Sequence, residues 1–134
     1  MKNNMKDIVR DIEKQYFHYA KIINAPQKFL CFSETPRHDG GAHIEYEGNE
    51  LLYVHTERGS RYDEKRTRNP DEILFWLLSD LIFNMAVEFE RENRKPNEDS
   101  RIQMFAKEEE LMAKINSDWA NELKTKNEKY LKWK

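Results

Sequence analysis

Four glycines, four prolines and a single cysteine are spread over 134 residues, and each scarcity removes a class of protein from consideration. With aromatics at 12%, so little Gly and Pro excludes a collagen-like, low-complexity or disordered chain. The lone Cys31 has no partner for an internal bridge. It sits in an apolar run with no neighbouring Lys, Arg or His to lower its pKa, so it reads as a small core residue of a reducing compartment. An excess of one charge is also missing. Lys and Arg number 23 against 25 Asp and Glu, a net charge of −2, which gives no global field for nucleic acid or an anionic membrane. The most apolar stretch, residues 73–87, is too short for a bilayer and is interrupted by Ser79, Asp80 and Asn84. The amino-terminal residues lack the apolar core of a secretory signal, so a cytoplasmic location is expected. No internal repeat is visible, and the length fits one domain, residues 1–134, without a disulfide or metal staple.

What is present is periodic. Met5, Ile8, Val9, Ile12, Tyr16, Tyr19, Ala20 and Ile23 fall three and four apart, predicting an amphipathic helix that ends at Asn24-Ala25-Pro26. Phe29 to Phe32 reads as a short strand, and Thr35 to Gly41, through His38, as a loop. Residues 42–53 are two alternating runs around Gly48-Asn49, a hairpin signal. A two-residue turn would set Ile44 and Tyr46 opposite Tyr53 and Leu51. A three-residue loop over Gly48 to Glu50 would instead group Ile44 and Tyr46 with Leu52 and Val54, leaving His43, Glu45, Glu47, Tyr53, His55 and Glu57 on a polar face. The second register is preferred for its cleaner apolar face. Beyond Glu57 the strand either continues or turns at Gly59 into a third one through Arg61 to Thr67. Asn69-Pro70-Asp71-Glu72 is the strongest local signal, with Asn as cap, Pro at the first helical position and Glu placed to reach back to the cap N–H. The helix it opens, apolar nearly all round, is the central core helix. Residues 99–133 form one helix or two, the alternative break being Asn116-Ser117-Asp118. The fold class is therefore α+β: an N-terminal helix, a small antiparallel sheet of three or four strands, then two or three C-terminal helices packed on one face.

No catalytic motif survives comparison with a plainer explanation. Asp39-Gly40-Gly41 lacks the glycine spacing and strand-to-helix context of a phosphate loop. None of Ser33, Ser60, Ser79, Ser100 and Ser117 sits in a nucleophile elbow. His43 and His55 become cross-strand neighbours in the preferred register, beside Glu45 and Glu57, and would then suit a zinc-dependent enzyme, but without short ligand spacing the pair reads first as a solvated polar face. Glu90, Asn93, Arg94, Asp99 and Arg101, at the junction of two helices, read as a structural clamp. No catalytic residue, bound metal or cofactor is expected.

Charge patterning carries more. Residues 39–50 hold Asp39, Glu45, Glu47 and Glu50 with no Lys or Arg, whereas residues 57–68 hold five basic and three acidic side chains. A charged sheet edge discourages aggregation. It also suits recognition of a protein partner, with charge complementarity setting on-rate and Tyr46, Tyr53 or Tyr62 as anchors. The candidate contact residues are Glu45, Glu47, Glu50, Tyr53, His55, Glu57, Arg58 and Arg61. A nucleic-acid role for the stretch from Arg58 to Arg68 is disfavoured by the near-zero net charge.

From Glu57-Arg58-Gly59 onward, the order and spacing of Glu72-Ile73-Leu74-Phe75-Trp76, Met85-Ala86, Phe89-Glu90, Asn93-Arg94, Asp99-Ser100-Arg101, Phe105-Ala106-Lys107, Leu111 and Trp119 resemble the immunity protein 63 family of bacterial polymorphic toxin and contact-dependent inhibition systems. The similarity spans about Tyr53 to Leu123. Phe75 and Phe89 stand where the family more often has Tyr, and Ile102 where it has a second Arg. The resemblance implies a non-enzymatic cytoplasmic protein that binds and neutralises a cognate toxin domain encoded by an adjacent gene.

Overall fold

Val9, Ile12, Tyr16, Ala20 and Ile23 are buried, the inward stripe that the sequence spacing predicts for helix α1, Met5–Ile22. The computed structural model describes residues 4–37 and 39–132; His38 of the predicted loop, and the first residues of the stretch read for a secretory signal, lie outside them. Asn24, in the left-handed region at φ 54°, follows α1 ahead of Pro26. Phe29 to Phe32 is not a strand of the sheet. Gln27–Phe29 is a single 3-10 turn, and the extended chain after it meets the sheet through a backbone bond from Ile44 N–H to Ser33 C=O at 2.9 Å. The loop before the hairpin is also shorter than expected, because pairing begins at Asp39.

Three strands follow, β1 (Asp39–Glu47), β2 (Glu50–Glu57) and β3 (Ser60–Thr67), antiparallel in the order β1-β2-β3. Glu47 pairs with Glu50, Tyr46 with Leu51 and Ile44 with Tyr53, so the turn is the two-residue Gly48-Asn49 one and the preferred three-residue register is overturned. Gly48 at φ 62° supplies the left-handed first position that a two-residue hairpin turn favours. The physical reason the alternative face failed is burial of β2 on both sides. Leu51 and Tyr53 point one way, Leu52 and Val54 the other, and all four are at most 2% exposed.

Helix α2, Pro70–Glu92, starts where the cap signal predicts, with Asn69 Oδ1 accepting from Asp71 N–H at 3.0 Å. The return contact runs through an intermediary. Asn69 N–H donates to Thr67 Oγ1 at 3.0 Å, and the Thr67 hydroxyl donates to Glu72. Helices α3 (Ser100–Ala113) and α4 (Ser117–Lys132) are separate, since Asn116 Oδ1 accepts from the N–H groups of Asp118 and Trp119 at 2.9 and 3.1 Å and so caps the second. No described helix is long and apolar enough to cross a membrane.

Two compact units are built from these elements, Met1–Phe17 with Cys31–Trp76, and His18–Leu30 with Leu77–Lys134. The first holds the sheet. The second holds most of α2 with α3 and α4, and there the clamp at the helix junction is realised. Arg94 donates two bonds to Glu90 at 3.0 and 3.1 Å, Gln103 donates to the Asn93 carbonyl at 3.0 Å, and Asp99 caps α3 by accepting from Arg101 N–H at 3.0 Å. Each contact satisfies a terminal backbone group or pairs a charge.

Candidate partner-binding site

The surface at issue is set by β3, whose residues 60–66 are all exposed and which pairs with β2 on one side only among the described residues. At its start the chain reverses through Arg58 and Gly59, with φ of 52° and 83° between the paired Glu57 and Ser60. Two successive left-handed residues are what a tight turn matching the strand twist requires. Gly59 adopts that conformation freely, but Arg58 does so against the steric preference of an L side chain. Tyr62 is the extra residue of a bulge, as Thr56 pairs with Arg61 and His55 with Asp63. Bulges re-aim neighbouring side chains. Here the result is Arg61 on one face and the Tyr62 and Asp63 side chains on the other.

On the first face a charged lattice crosses all three strands. Arg61 donates to Glu45 at 3.0 Å and to Glu64 at 2.9 Å. Arg66 donates to Glu64 at 2.8 Å and reaches Glu50 and Glu47 at 3.5 and 3.8 Å. At the β1 end, the buried His43 ring lies with Nε2 2.6 Å from Glu45 Oε2, so Nε2 carries the proton and donates. The His43 bond, then Arg61, holds the Glu45 carboxyl below the usual carboxylate range, and Arg61 followed by Arg66 does the same for Glu64. Four carboxylates surround two guanidinium groups. The lattice is thus electronegative while every arginine in it is oriented. Such exposed pairs add little to folding stability, which leaves their bonds exchangeable for those of a partner.

The opposite face is partly core. Tyr53 is 2% exposed, its ring 5.9 Å from Trp76 and its hydroxyl 3.5 Å from the Trp76 carbonyl. It belongs to the packing of the sheet on the start of α2 and is not available as an anchor. His55 shares that face, with Nδ1 3.5 Å from Asp63 and its ring 5.7 Å from that of Tyr62. In the observed register His55 pairs with Ala42, and His43 with Val54, so the two histidines point to opposite sides of the sheet. The proposed zinc site at His43 and His55 is therefore overturned by the register, and no metal-binding group of three or more His, Cys, Asp or Glu forms among the described residues.

Of the residues selected from sequence, Glu45, Glu47, Glu50 and Arg61 are gathered into the lattice, Glu57 and Arg58 form the neighbouring turn, and Tyr53 and His55 fall on the other side. Glu64 and Arg66 were missed, although they alternate with Lys65 along β3 and pair across to Val54 and Leu52, a spacing of two that a fixed register would have exposed. Tyr46 and Tyr62, at 46% and 56% exposure, are the aromatic residues left open at the two ends of the sheet. Cys31 also departs from expectation. It is half-buried and accepts a contact from the Arg37 guanidinium, a cation six positions away that sequence adjacency could not reveal.

No curated protein and no solved structure matches the chain. A family model described as immunity protein 63 matches residues 47–129, from the β1-β2 turn through β3, α2 and α3 and most of α4. That stretch is more than half of the chain and includes the turn at Arg58, most of the lattice and the helix-junction clamp. The chain belongs to the immunity protein 63 family.

Proposed function

We propose that this protein neutralises a cognate bacterial toxin domain by binding it directly and occluding its working surface, through the lattice face of the sheet and the turn at Glu57 and Arg58. The observation that carries the reading is the family match, because a protein conferring immunity acts on the toxin it is paired with. The choice of surface rests on exposure and charge: β3 is exposed along residues 60–66, the lattice offers excess carboxylate, and Arg58 stands at its end. Complementary charge of this kind speeds encounter and selects partners, while a nearby aromatic such as Tyr62 supplies an anchor. The cytoplasm is the compartment in which such a toxin would have to be met, and the toxin is expected to be encoded in the adjacent gene. No catalytic step is assigned to the chain.

Co-expression with the product of the adjacent toxin gene tests the reading, with cell survival and a stable purified complex as the expected results. Free toxicity, or absence of a complex, refutes it. Reversing the charges of Glu45, Glu47 and Arg58 together is expected to raise the dissociation constant at least ~10-fold, mainly through a slower on-rate. Unchanged affinity would place the contact on another surface.

A further inference from the structure

In the second compact unit, α3 and α4 pack against each other after a three-residue connection, and with α2 they enclose a half-open cavity of about 350 Å³. Its lining includes Ser79, Phe83, Phe105, Glu108, Asn127 and Tyr130. Glu108 and Asn127 are buried, at 8% and 3% exposure. Asn127 Nδ2 donates to Glu108 Oε1 at 3.2 Å and to Glu109 Oε2 at 3.1 Å, so one neutral amide serves two carboxylates. A carboxylate this deep ordinarily has a cation against it.

Arg101 and Lys126 also line the cavity, with Asp80 as its second acid, but neither cation is within ion-pair distance of Glu108. Arg101 is committed elsewhere, donating to both oxygens of Asp99 at distances down to 2.7 Å and to the Tyr130 carbonyl at 3.1 Å. Lys126 is exposed and acts on Glu108 only through space. Burial accordingly pushes the Glu108 carboxyl above the usual range, against the smaller opposing effects of Asn127 and Lys126. Glu108 has the Asn127 amide, whereas a second polar group in the lining has nothing: Ser79 Oγ is buried without a hydrogen-bond partner among the described residues. Aromatic rings stand at the rim. Phe83 and Tyr130 are 44% and 52% exposed, and the Tyr130 ring lies 6.4 Å from that of Phe105.

A buried acceptor, an idle hydroxyl and aromatic walls are together the chemistry of a cation receptor. The volume admits one long side chain and excludes a folded segment. We propose that this cavity is a socket for a single cationic side chain, a guanidinium or ammonium group presented by a protein partner, with Glu108 as its counter-ion and Ser79 as a second acceptor. Naming that partner as the toxin rests on the function proposed above; the socket itself does not.

The test uses the intact protein and side-chain analogues. Ethylguanidinium and n-propylammonium are titrated at pH 7.5, with propionate as the opposite-charge control, while NMR follows the side-chain amide of Asn127. Saturable shifts for the two cations are expected, with dissociation constants of roughly 1–20 mM for such small probes, together with at least a ~5-fold weakening in Glu108→Gln and a smaller loss in Ser79→Ala. Tyr130→Ala, an exposed position, keeps the test valid should the Glu108 variant fail to fold, and is expected to weaken the cations ~2-fold or more. Absence of saturation by either cation, or tighter binding of propionate, overturns the socket. So does cation binding that Glu108→Gln leaves unchanged. Cation binding in a protein that fails to capture the toxin upholds the socket and refutes only the toxin reading, whereas a tight toxin complex unaffected by Glu108→Gln, with no probe binding, does the reverse.

Discussion

Replacing Arg58 with Asn is expected to make the free protein more stable and the complex weaker. Arg58 holds φ 52° in the β2-β3 turn, with Gly59 after it at φ 83°. A left-handed backbone costs an ordinary L residue roughly 1–2 kcal/mol, and Asn, whose short amide bonds locally, tolerates it far better. Asn-Gly is also the dipeptide this turn geometry favours. Arg58 is exposed and forms no side-chain hydrogen bond among the described residues, so little is lost on truncation. Arg58→Asn should therefore gain about 1 kcal/mol, which for a chain of this size raises Tm by roughly 3–5 °C. Thermal unfolding followed by circular dichroism gives the shift. Urea titration checks it through a higher midpoint at an unchanged m value. The toxin complex supplies the second half: if Arg58 is a contact, Kd rises ~5-fold or more in the same variant that melts later. An unchanged or lower Tm would show that the turn carries no strain to relieve. Stabilisation without loss of affinity would remove the turn from the binding surface.

Two further outcomes follow from groups inside the fold. Because burial raises the folded-state pKa of Glu108 above its ordinary 4.5, the folded protein holds that proton more tightly than the unfolded chain. The resulting penalty is absent below pH 4.5 and complete once the pH passes the raised value, so Glu108→Gln should raise Tm at pH 7 by a few degrees and lose that advantage as the pH falls toward 4. Lys126, Glu109, Asp80 and Arg101 are the other charged groups around this carboxyl, and a pH-independent effect would mean that they already compensate it. Thr67→Val should cost about 1–2 kcal/mol, since it strands the Asn69 N–H and removes the bond to Glu72 at the start of α2. Denaturant midpoints measure this, and a change under ~0.3 kcal/mol would assign the capping to Asn69 alone.

The helices were legible in the sequence because their signals are local. Asn69-Pro70 opens α2 and Asn116 separates α3 from α4 through bonds spanning two or three residues, and the spacing of Val9, Ile12, Tyr16 and Ala20 needs only the helical period. Strand register is a different kind of information. Leu51-Leu52-Tyr53-Val54 is apolar at every position, so its alternation could not favour one face, and both faces proved to be buried. The choice then fell to the backbone freedom of Gly48, which allows the two-residue turn. A one-residue shift moves every side chain of β2 to the other side of the sheet. That shift carried Tyr53 into the core and parted His43 from His55.

The same dependence governs the site. Glu45, Glu47, Glu50 and Arg61 were identifiable by composition alone, because a stretch without a single base faces one rich in them. Which charges meet was not, since the bulge at Tyr62 decides that Arg61 turns toward Glu45 while Asp63 turns toward His55. Composition thus locates a charged surface, but bulges and turns decide its sign pattern, and a partner reads the pattern. The cavity lay further from view. Glu108 sits in a run of three glutamates, Glu108-Glu109-Glu110, that would pass for a solvated helix face. Glu110 behaves so, paired with Lys107 at 2.9 Å. Glu108 is set apart only by helical phase, which places it four residues from Met112 and three from Leu111, both buried. A carboxylate on the apolar side of a helix is the kind of local contradiction that folding energetics does not reward, and binding gives it a reason to be there.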